Sequence, residues 1–229
     1  MTRAQPAETA DLARAIAGEC GRLGLDVPAE SFPGLAAYAA SLWSWNERLN
    51  LTRHTDVEKF VSRDVGDAVA LLVHLARGER VLDVGTGGGV PGVLLAIMRP
   101  DLRVELCESV GKRAAAVTAI VAEIGLDLPM HATAAQTLLP ARASGPERFD
   151  TLVVRAVAPL EKLLGWFEPL RDAYGRLLVI KGPRWEEELA TARAKGLGRK
   201  MVLRRIAAWP LRGTDNESVL LEIRAADRG

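Results

Sequence analysis

Residues Arg80 to Leu95, RVLDVGTGGGVPGVLL, constrain this chain more than any other stretch. A short apolar run meets a cluster of glycines and resumes as an apolar segment opened by Pro91. The pattern predicts a buried strand, a tight turn and the first turns of a helix, because proline is tolerated at the first helical position. Gly85, Gly87 and Gly89 alternate, so the backbone can take positive φ and a ligand can approach without meeting a Cβ; Gly88 adds slack. Such a strand-to-helix cradle holds a small ligand at the mouth of an α/β sheet.

Two ligands compete for it. Gly87, Gly89 and Gly92 satisfy the GxGxxG spacing of dinucleotide-binding turns. Asp83, just before the first glycine, argues otherwise. Read as pointing into the pocket, its carboxylate would repel a pyrophosphate and could hold the cationic amino group of a methionine moiety, which favours S-adenosylmethionine over NAD. Glu108 closes the next strand-like run, Arg103 to Glu108, where such folds grip ribose hydroxyls; both cofactors use that contact. An ordinary glycine-rich turn flanked by surface acids is the plain alternative.

Composition narrows the class. With 229 residues, 48% apolar and 26% charged, the chain can bury a sizeable core and is not disordered. No apolar run approaches bilayer-spanning length and MTRAQPAETA lacks the apolar core of a signal peptide, so no membrane contact and a cytoplasmic location are expected. Cys20 and Cys107, outside any CxxC pair, read as free buried thiols, with neither disulfide nor metal expected. Thirty basic against 29 acidic side chains leave a net charge of +1, so any RNA site must be a local patch.

Residues 1–78 carry helical periodicity without a clear strand and read as an N-terminal helical cap; residues 79–229 read as the α/β domain, the two forming one unit. Helices are expected over Asp11–Leu25 and Leu35–Leu49, the latter with Leu35, Tyr38, Ala39, Leu42, Trp45 and Leu49 as its buried stripe. Thr55 and Glu58 have capping-box spacing and open a third helical segment through Val73. Arg48, Arg53, His54, Lys59 and Arg63, with Trp43 and Trp45 nearby, either meet phosphates and bases or decorate a solvated face over core tryptophans. His54 has no visible partner and reads as a surface residue.

From Arg80 strands and helices alternate, the mark of a parallel sheet. Gly111–Gly125 is an alanine-rich helix whose start carries Lys112 and Arg113, where cations oppose the helix dipole; they face a phosphate or are surface decoration. A weak third strand, Pro129–Ala134, precedes Ala135 and Gln136, a pair placed to flank an adenine ring. Phe149–Arg155 is a clear fourth strand, and Arg155 at its tip is either a site residue or half of an ion pair with a neighbouring acid. Leu177–Lys181 is a fifth strand and Trp185–Ala194 a helix. Met201–Trp209 and Val219–Arg224 have no crossover helix between them and should pair as an antiparallel hairpin. The expected architecture is a mostly parallel seven-stranded sheet, Rossmann-like, with the antiparallel edge shown by class I S-adenosylmethionine-dependent methyltransferases.

WNERLNLT at Trp45 to Thr52, LDVGTGGGVPGVLLAIMRPDL at Leu82 to Leu102, ESVGKR at Glu108 to Arg113, RAVAPL at Arg155 to Leu160 and IKGPRWEEEL at Ile180 to Leu189 together resemble the bacterial small-subunit rRNA methyltransferase G family (RsmG, also called GidB). The resemblance runs over nearly the whole chain. It implies methyl transfer from S-adenosylmethionine to ring nitrogen 7 of one guanine in the decoding-region loop of 16S rRNA, with the small ribosomal subunit or a precursor as the expected partner; a monomer is expected separately. It implies further that Gly85 and Val90 line the methionine end of the cofactor, that Ala135 and Gln136 flank its adenine, and that Arg155 closes the pocket; Gly87 is expected at the cofactor from the glycine turn itself. The chain departs from the family pattern at Asp64, where His is common, at Gln136, where Glu is common, and at Glu217 and Ser218, where Arg-His is common. Asp64 and Glu217 put negative charge where the family is neutral or basic.

Guanine nitrogen 7 bears a lone pair and no proton, so no general base is needed. No [DN]-P-P-[YFW] motif follows the fourth strand and no cysteine is placed as a nucleophile, which argues against exocyclic-amine or carbon methylation. Asp83 and Glu108 are expected to orient the cofactor, with Arg63, Lys112 and Lys181 on RNA phosphates. A methyltransferase for another RNA, a protein or a small molecule, an NAD-dependent oxidoreductase and a nucleotide-sensing module remain the alternatives.

Overall fold

The computed structural model describes residues 6–211 and 214–226. Helices α1 (Pro6–Leu23) and α2 (Phe32–Leu49) come first. Glu8 in the first turn and Arg22 in the last complement the dipole of α1. Pro33 sits in the first turn of α2, and Asn50 ends that helix in the left-handed conformation. The third helical stretch is composite: α3 (Val57–Lys59), a π-helical turn over Phe60–Val65, and α4 (Gly66–Leu72). Its cap is Asp56, not the Thr55–Glu58 box. Asp56 has the extended backbone that an N-cap requires, and its carboxylate accepts the Lys59 N–H at 2.8 Å. The π-helical turn buries Phe60, Val61, Asp64 and Val65.

Strands and helices then alternate: β1 (Arg80–Val84), α5 (Gly92–Met98), β2 (Arg103–Cys107), α6 (Gly111–Glu123), β3 (Met130–His131), α7 (Ala135–Leu138), β4 (Phe149–Arg155), α8 (Leu160–Phe167), β5 (Tyr174–Lys181) and α9 (Trp185–Ala194). The chain closes with the hairpin β6 (Met201–Pro210) and β7 (Glu217–Ala225). Sheet order is β3-β2-β1-β4-β5-β7-β6, with β7 antiparallel to both neighbours and the other pairings parallel. The expected third strand over 129–134 pairs over only two residues. It lies at the sheet edge, and the chain turns away at Thr133, whose N–H returns to the His131 carbonyl at 2.9 Å.

Alternation along the strands builds two apolar layers. Val81, Leu106, Val153 and Leu178 face a core completed by Ile16, Tyr38, Leu42 and Phe60 of the N-terminal helices. Leu82, Val84, Leu152 and Val179 face the opposite side, against Leu163, Phe167 and Ala192. Each fully buried aliphatic side chain contributes about 1.5–3 kcal/mol. The N-terminal helices thus share one buried cluster with the sheet. The order of strands reverses between β1 and β4, where an open α/β sheet leaves a crevice at its carboxyl edge.

Candidate active site

The glycine turn lies at that crevice. Gly85 and Thr86 donate their N–H groups to the Cys107 carbonyl, at 2.8 and 3.0 Å, which fastens the turn to the end of β2. Gly87 has φ +59°, and a Cβ built there would meet nothing nearer than the Gly85 carbonyl at 3.9 Å, because the residue faces an open cavity of about 470 Å³. Gly88 is not slack. A Cβ there would come within 3.0 Å of Leu42 and 3.2 Å of the Leu51 carbonyl, and the Tyr38 hydroxyl donates to the Gly88 carbonyl at 2.9 Å. Helix α2 and the loop that follows it therefore press on the turn and supply Leu42, Leu51 and Thr52 to the cavity wall.

Glu108 is 5% exposed and lines this cavity. Its two oxygens accept from Gly87 N at 3.1 Å and Val110 N at 2.8 Å, so the acid is fixed by the turn it serves. Gly85, Gly87, Val90 and Arg155 line the same space. Val110 and Trp166, both exposed, line it too and carried no signal in the sequence beyond apolar helix and loop positions.

Read from the sequence, Asp83 points into the pocket; in the structure it lies beneath the turn. Its Oδ2 accepts from Thr86 Oγ1 at 2.5 Å and from Gly92 N at 2.8 Å. Side chains alternate along a strand, and the Asp83 position of β1 faces α5, so the carboxylate caps that helix and braces the turn. Burial pushes its carboxyl up to about 6, against the opposing hydrogen bonds from Thr86 and Gly92. Its other oxygen, Oδ1, is buried without a partner among the described residues.

A second cavity, of about 880 Å³, adjoins the first, and Arg155 and Ala156 line both. Arg155 is the partition. Its guanidinium reaches Asp64 at 2.6 Å and Asp67 at 2.9 Å, the neighbouring acids of the ion-pair reading, while the residue also lines both cavities. Burial works against the charge of Arg155, but Asp64 and Asp67 outweigh it and leave its pKa above the ordinary guanidinium value. Burial raises the Asp67 carboxyl despite Arg155, and Asp67 also accepts from Trp209 Nε1 at 3.1 Å. Asp64 has no exposed surface, so it does not set a bare negative charge in a substrate's path. His54 has a partner after all, since its Nδ1 lies 2.8 Å from Asp64 Oδ1. Ten residues separate the two, and the π-helical turn closes the gap.

Arg53, Lys59, Arg63, Lys181 and Arg184 line the second cavity. Lys181 is compensated, with Nζ 2.6 Å from Glu188 and 3.1 Å from the Ala158 carbonyl. Lys112 is exposed at the start of α6 and lines neither cavity, whereas its neighbour Arg113 lines the first. Ala135 is buried under the sheet and Gln136 half-buried beside it; neither lines the cofactor-sized cavity. Trp43 donates to the His54 carbonyl and stands edge-on to Phe60, and Trp45 donates to Glu123, so both are packed walls rather than stacking platforms. Ser218 lines the second cavity, while Glu217 pairs with Arg205 at 3.2 Å.

Burial pushes the Cys107 thiol up to about 12 and the Cys20 thiol up to about 11, which leaves both inert as nucleophiles. Among the described residues no group of three or more His, Cys, Asp or Glu could hold a metal ion, and no helix is long and apolar enough to cross a membrane.

The strand order, the antiparallel last strand and the acid-braced glycine turn at the switch point define a class I methyltransferase fold. Residues 32–209 match the family model for rRNA small subunit methyltransferase G (GidB), and the chain belongs to that family. It is 42% identical to the ribosomal RNA small subunit methyltransferase G of Rhodopirellula baltica over 208 residues, covering 91% of this chain and 86% of that one. With the protein of the same name from Pelodictyon phaeoclathratiforme it shares 34% identity over 196 residues, 85% of this chain and 84% of that one. Among solved structures, M. capricolum TrmK in complex with S-adenosyl-homocysteine superposes with a TM-score of 0.53 at 10% identity, over 71% of this chain and 70% of that one. MtNAS in complex with MTA and tNA superposes with a TM-score of 0.52 at 17% identity, over 83% of this chain and 71% of that one. These two likenesses carry the fold alone.

Proposed function

We propose that this chain transfers a methyl group from S-adenosylmethionine to ring nitrogen 7 of a guanine in 16S rRNA, acting on the small ribosomal subunit or a precursor in the cytoplasm. The supporting observation is the pair of adjoining cavities that share Arg155: one built around a glycine turn and the nearly buried carboxylate of Glu108, the other lined by six cations against four acids, with Arg53 and Arg184 exposed on it.

The residues present fit the cofactor. Gly87 leaves open room where a side chain would stand, and Glu108 presents a nearly buried carboxylate whose remaining lone pairs suit ribose hydroxyls. Val110 and Trp166 offer apolar surface to the adenine end, and Ala135 and Gln136 open α7 four residues after β3. The cofactor, when bound, supplies an electrophilic methyl group on a sulfonium. Guanine nitrogen 7 attacks through its own lone pair, so this chain need not move a proton. Its work is alignment, and holding the acceptor in line accounts for about 7–11 kcal/mol of barrier in favourable cases. Arg155, locked between two carboxylates, fixes the boundary at which the two substrates meet. Arg53, Lys59, Arg63 and Arg184 suit the phosphates on either side of a splayed base.

The test is label transfer from tritiated S-adenosylmethionine into 30S subunits from a strain lacking this modification. Incorporation into 16S rRNA is expected, and label confined to protein or absent would overturn the assignment.

A further inference from the structure

We infer that His54 is a specificity-determining residue that contacts the target base directly, held in a single orientation by the buried carboxylate of Asp64; this rests on the RNA reading above. His54 is fixed at three points. Its backbone N–H donates to Thr52 Oγ1 at 3.0 Å, its carbonyl accepts from Trp43 Nε1 at 2.8 Å, and its ring Nδ1 lies 2.8 Å from Asp64 Oδ1. The same Asp64 oxygen takes Arg155 at 2.6 Å, and a carboxylate oxygen so engaged can only accept, so the imidazole carries a hydrogen on Nδ1. That settles the tautomer and leaves Nε2 as the working atom. Nε2 has no partner among the described residues, while the side chain is 26% exposed on the wall of the second cavity.

A side chain immobilised at one ring nitrogen and left open at the other, inside a substrate cavity, is built to make one directional hydrogen bond. In neutral imidazole with Nδ1 protonated, Nε2 is an acceptor. A guanine whose nitrogen 7 faces the cofactor cavity turns its opposite, base-pairing edge into the second cavity. Beside the O6 acceptor, that edge presents two adjacent donors, N1–H and the 2-amino group; adenine has a single donor there, its 6-amino group, and at the N1 position an unprotonated nitrogen whose lone pair would confront that of Nε2. His54 therefore selects guanine over adenine, through a bond that lies away from the reacting nitrogen.

Two substitutions separate this role from a structural one. Asn places an amide near Nδ1 and keeps the bond to Asp64 but has nothing at the Nε2 position; Gln places an amide near Nε2. With wild-type enzyme turning over 30S subunits, His54→Asn is expected to lower kcat/KM for the subunit about 10-fold, the loss of one hydrogen bond, with melting temperature and S-adenosylmethionine affinity unchanged. His54→Gln is expected to retain activity within about 3-fold, its amide oxygen accepting in place of Nε2. Equal activity of His54→Asn and wild type would overturn the inference, as would equal losses in both variants accompanied by a fall in melting temperature. A His54→Asn loss that also cuts the salt dependence of binding by about one phosphate contact would assign the ring to the backbone and overturn it too. If the wild-type enzyme leaves 30S subunits unmodified, the RNA reading itself fails.

Discussion

Asp64 and Arg155 meet at 2.6 Å in the wall between the two cavities, with Asp64 carrying no exposed surface. A buried ion pair is costly to assemble, but removing one partner is costlier, because the other is stranded. Because Arg155 keeps Asp67 at 2.9 Å, Asp64→Ala strands it only in part and is expected to destabilise the fold by about 1–3 kcal/mol in urea unfolding, with Asp64→Asn milder because its amide oxygen still accepts. Arg155→Lys should fail to restore the site, since one ammonium cannot reach Asp64 and Asp67 in parallel as the two guanidinium nitrogens do. Wild-type stability in Asp64→Ala would show that the pair does not hold the wall together.

The glycine turn predicts a binding defect separable from unfolding. At Gly87, with φ +59°, an added methyl costs about 1–2 kcal/mol of backbone strain and projects into open cavity rather than into protein. Gly87→Ala should weaken S-adenosylmethionine binding at least ~10-fold by calorimetry while the protein stays folded at about 25 °C. Glu108→Gln should cost about 10-fold or more through loss of hydrogen bonds to a charged acceptor. Undiminished binding in both variants would place the cofactor elsewhere.

Cations at the second cavity should govern salt dependence. Arg53 and Arg184 are exposed on its rim, so Arg53→Gln and Arg184→Gln should each reduce the slope of log affinity for 30S subunits against log salt by about 0.7–0.9. Lys112→Gln should leave the slope unchanged, since Lys112 lines neither cavity. Lys181→Glu should lower the melting temperature as well as activity, because it sets a second carboxylate against Glu188. Filter binding across a salt series checks the slopes, and an Arg184→Gln slope equal to wild type would remove that face from the RNA path.

Asp83 predicts a pH signature. Burial raises its pKa from the ordinary 3.8 to about 6 in the folded protein, so the folded state binds more protons than the unfolded chain between those values. The contribution is favourable at low pH, is lost as pH rises from about 4 to about 6, and is flat above; it is on the order of 3 kcal/mol. Asp67, raised by burial, acts in the same sense, and Glu222, lowered to about 2 by Arg224 and Arg176, acts in the opposite sense below pH 4.5. The difference between wild type and Asp83→Asn isolates the first group. Urea unfolding at about pH 4, 5, 6 and 7 should show stability falling relative to Asp83→Asn up to about pH 6, and parallel curves would contradict the buried placement.

Much of this was legible in the residue pattern. The β4 strand and α9 have the bounds that periodicity and the flanking breakers predict, because both signals are local. So is the antiparallel ending, which follows from the lack of room for a crossover helix. What escaped was set by contacts between distant segments. The direction of Asp83 depends on how α5 packs, and the role of Gly88 on α2 pressing from above. The pairing of His54 with Asp64 depends on a π-helical turn that no periodicity announces, and the neutralisation of Lys181 on a glutamate one helix turn into α9. Charge signs were readable in advance; which charges are already satisfied was not.

The most direct measurement is nucleoside mass mapping of 16S rRNA from 30S subunits incubated with the purified protein and S-adenosylmethionine. A single new 7-methylguanosine, formed more slowly at sub-saturating S-adenosylmethionine when Gly87→Ala replaces the wild-type protein, is the predicted result. Methyl groups on any other base or position, or none, would contradict the account.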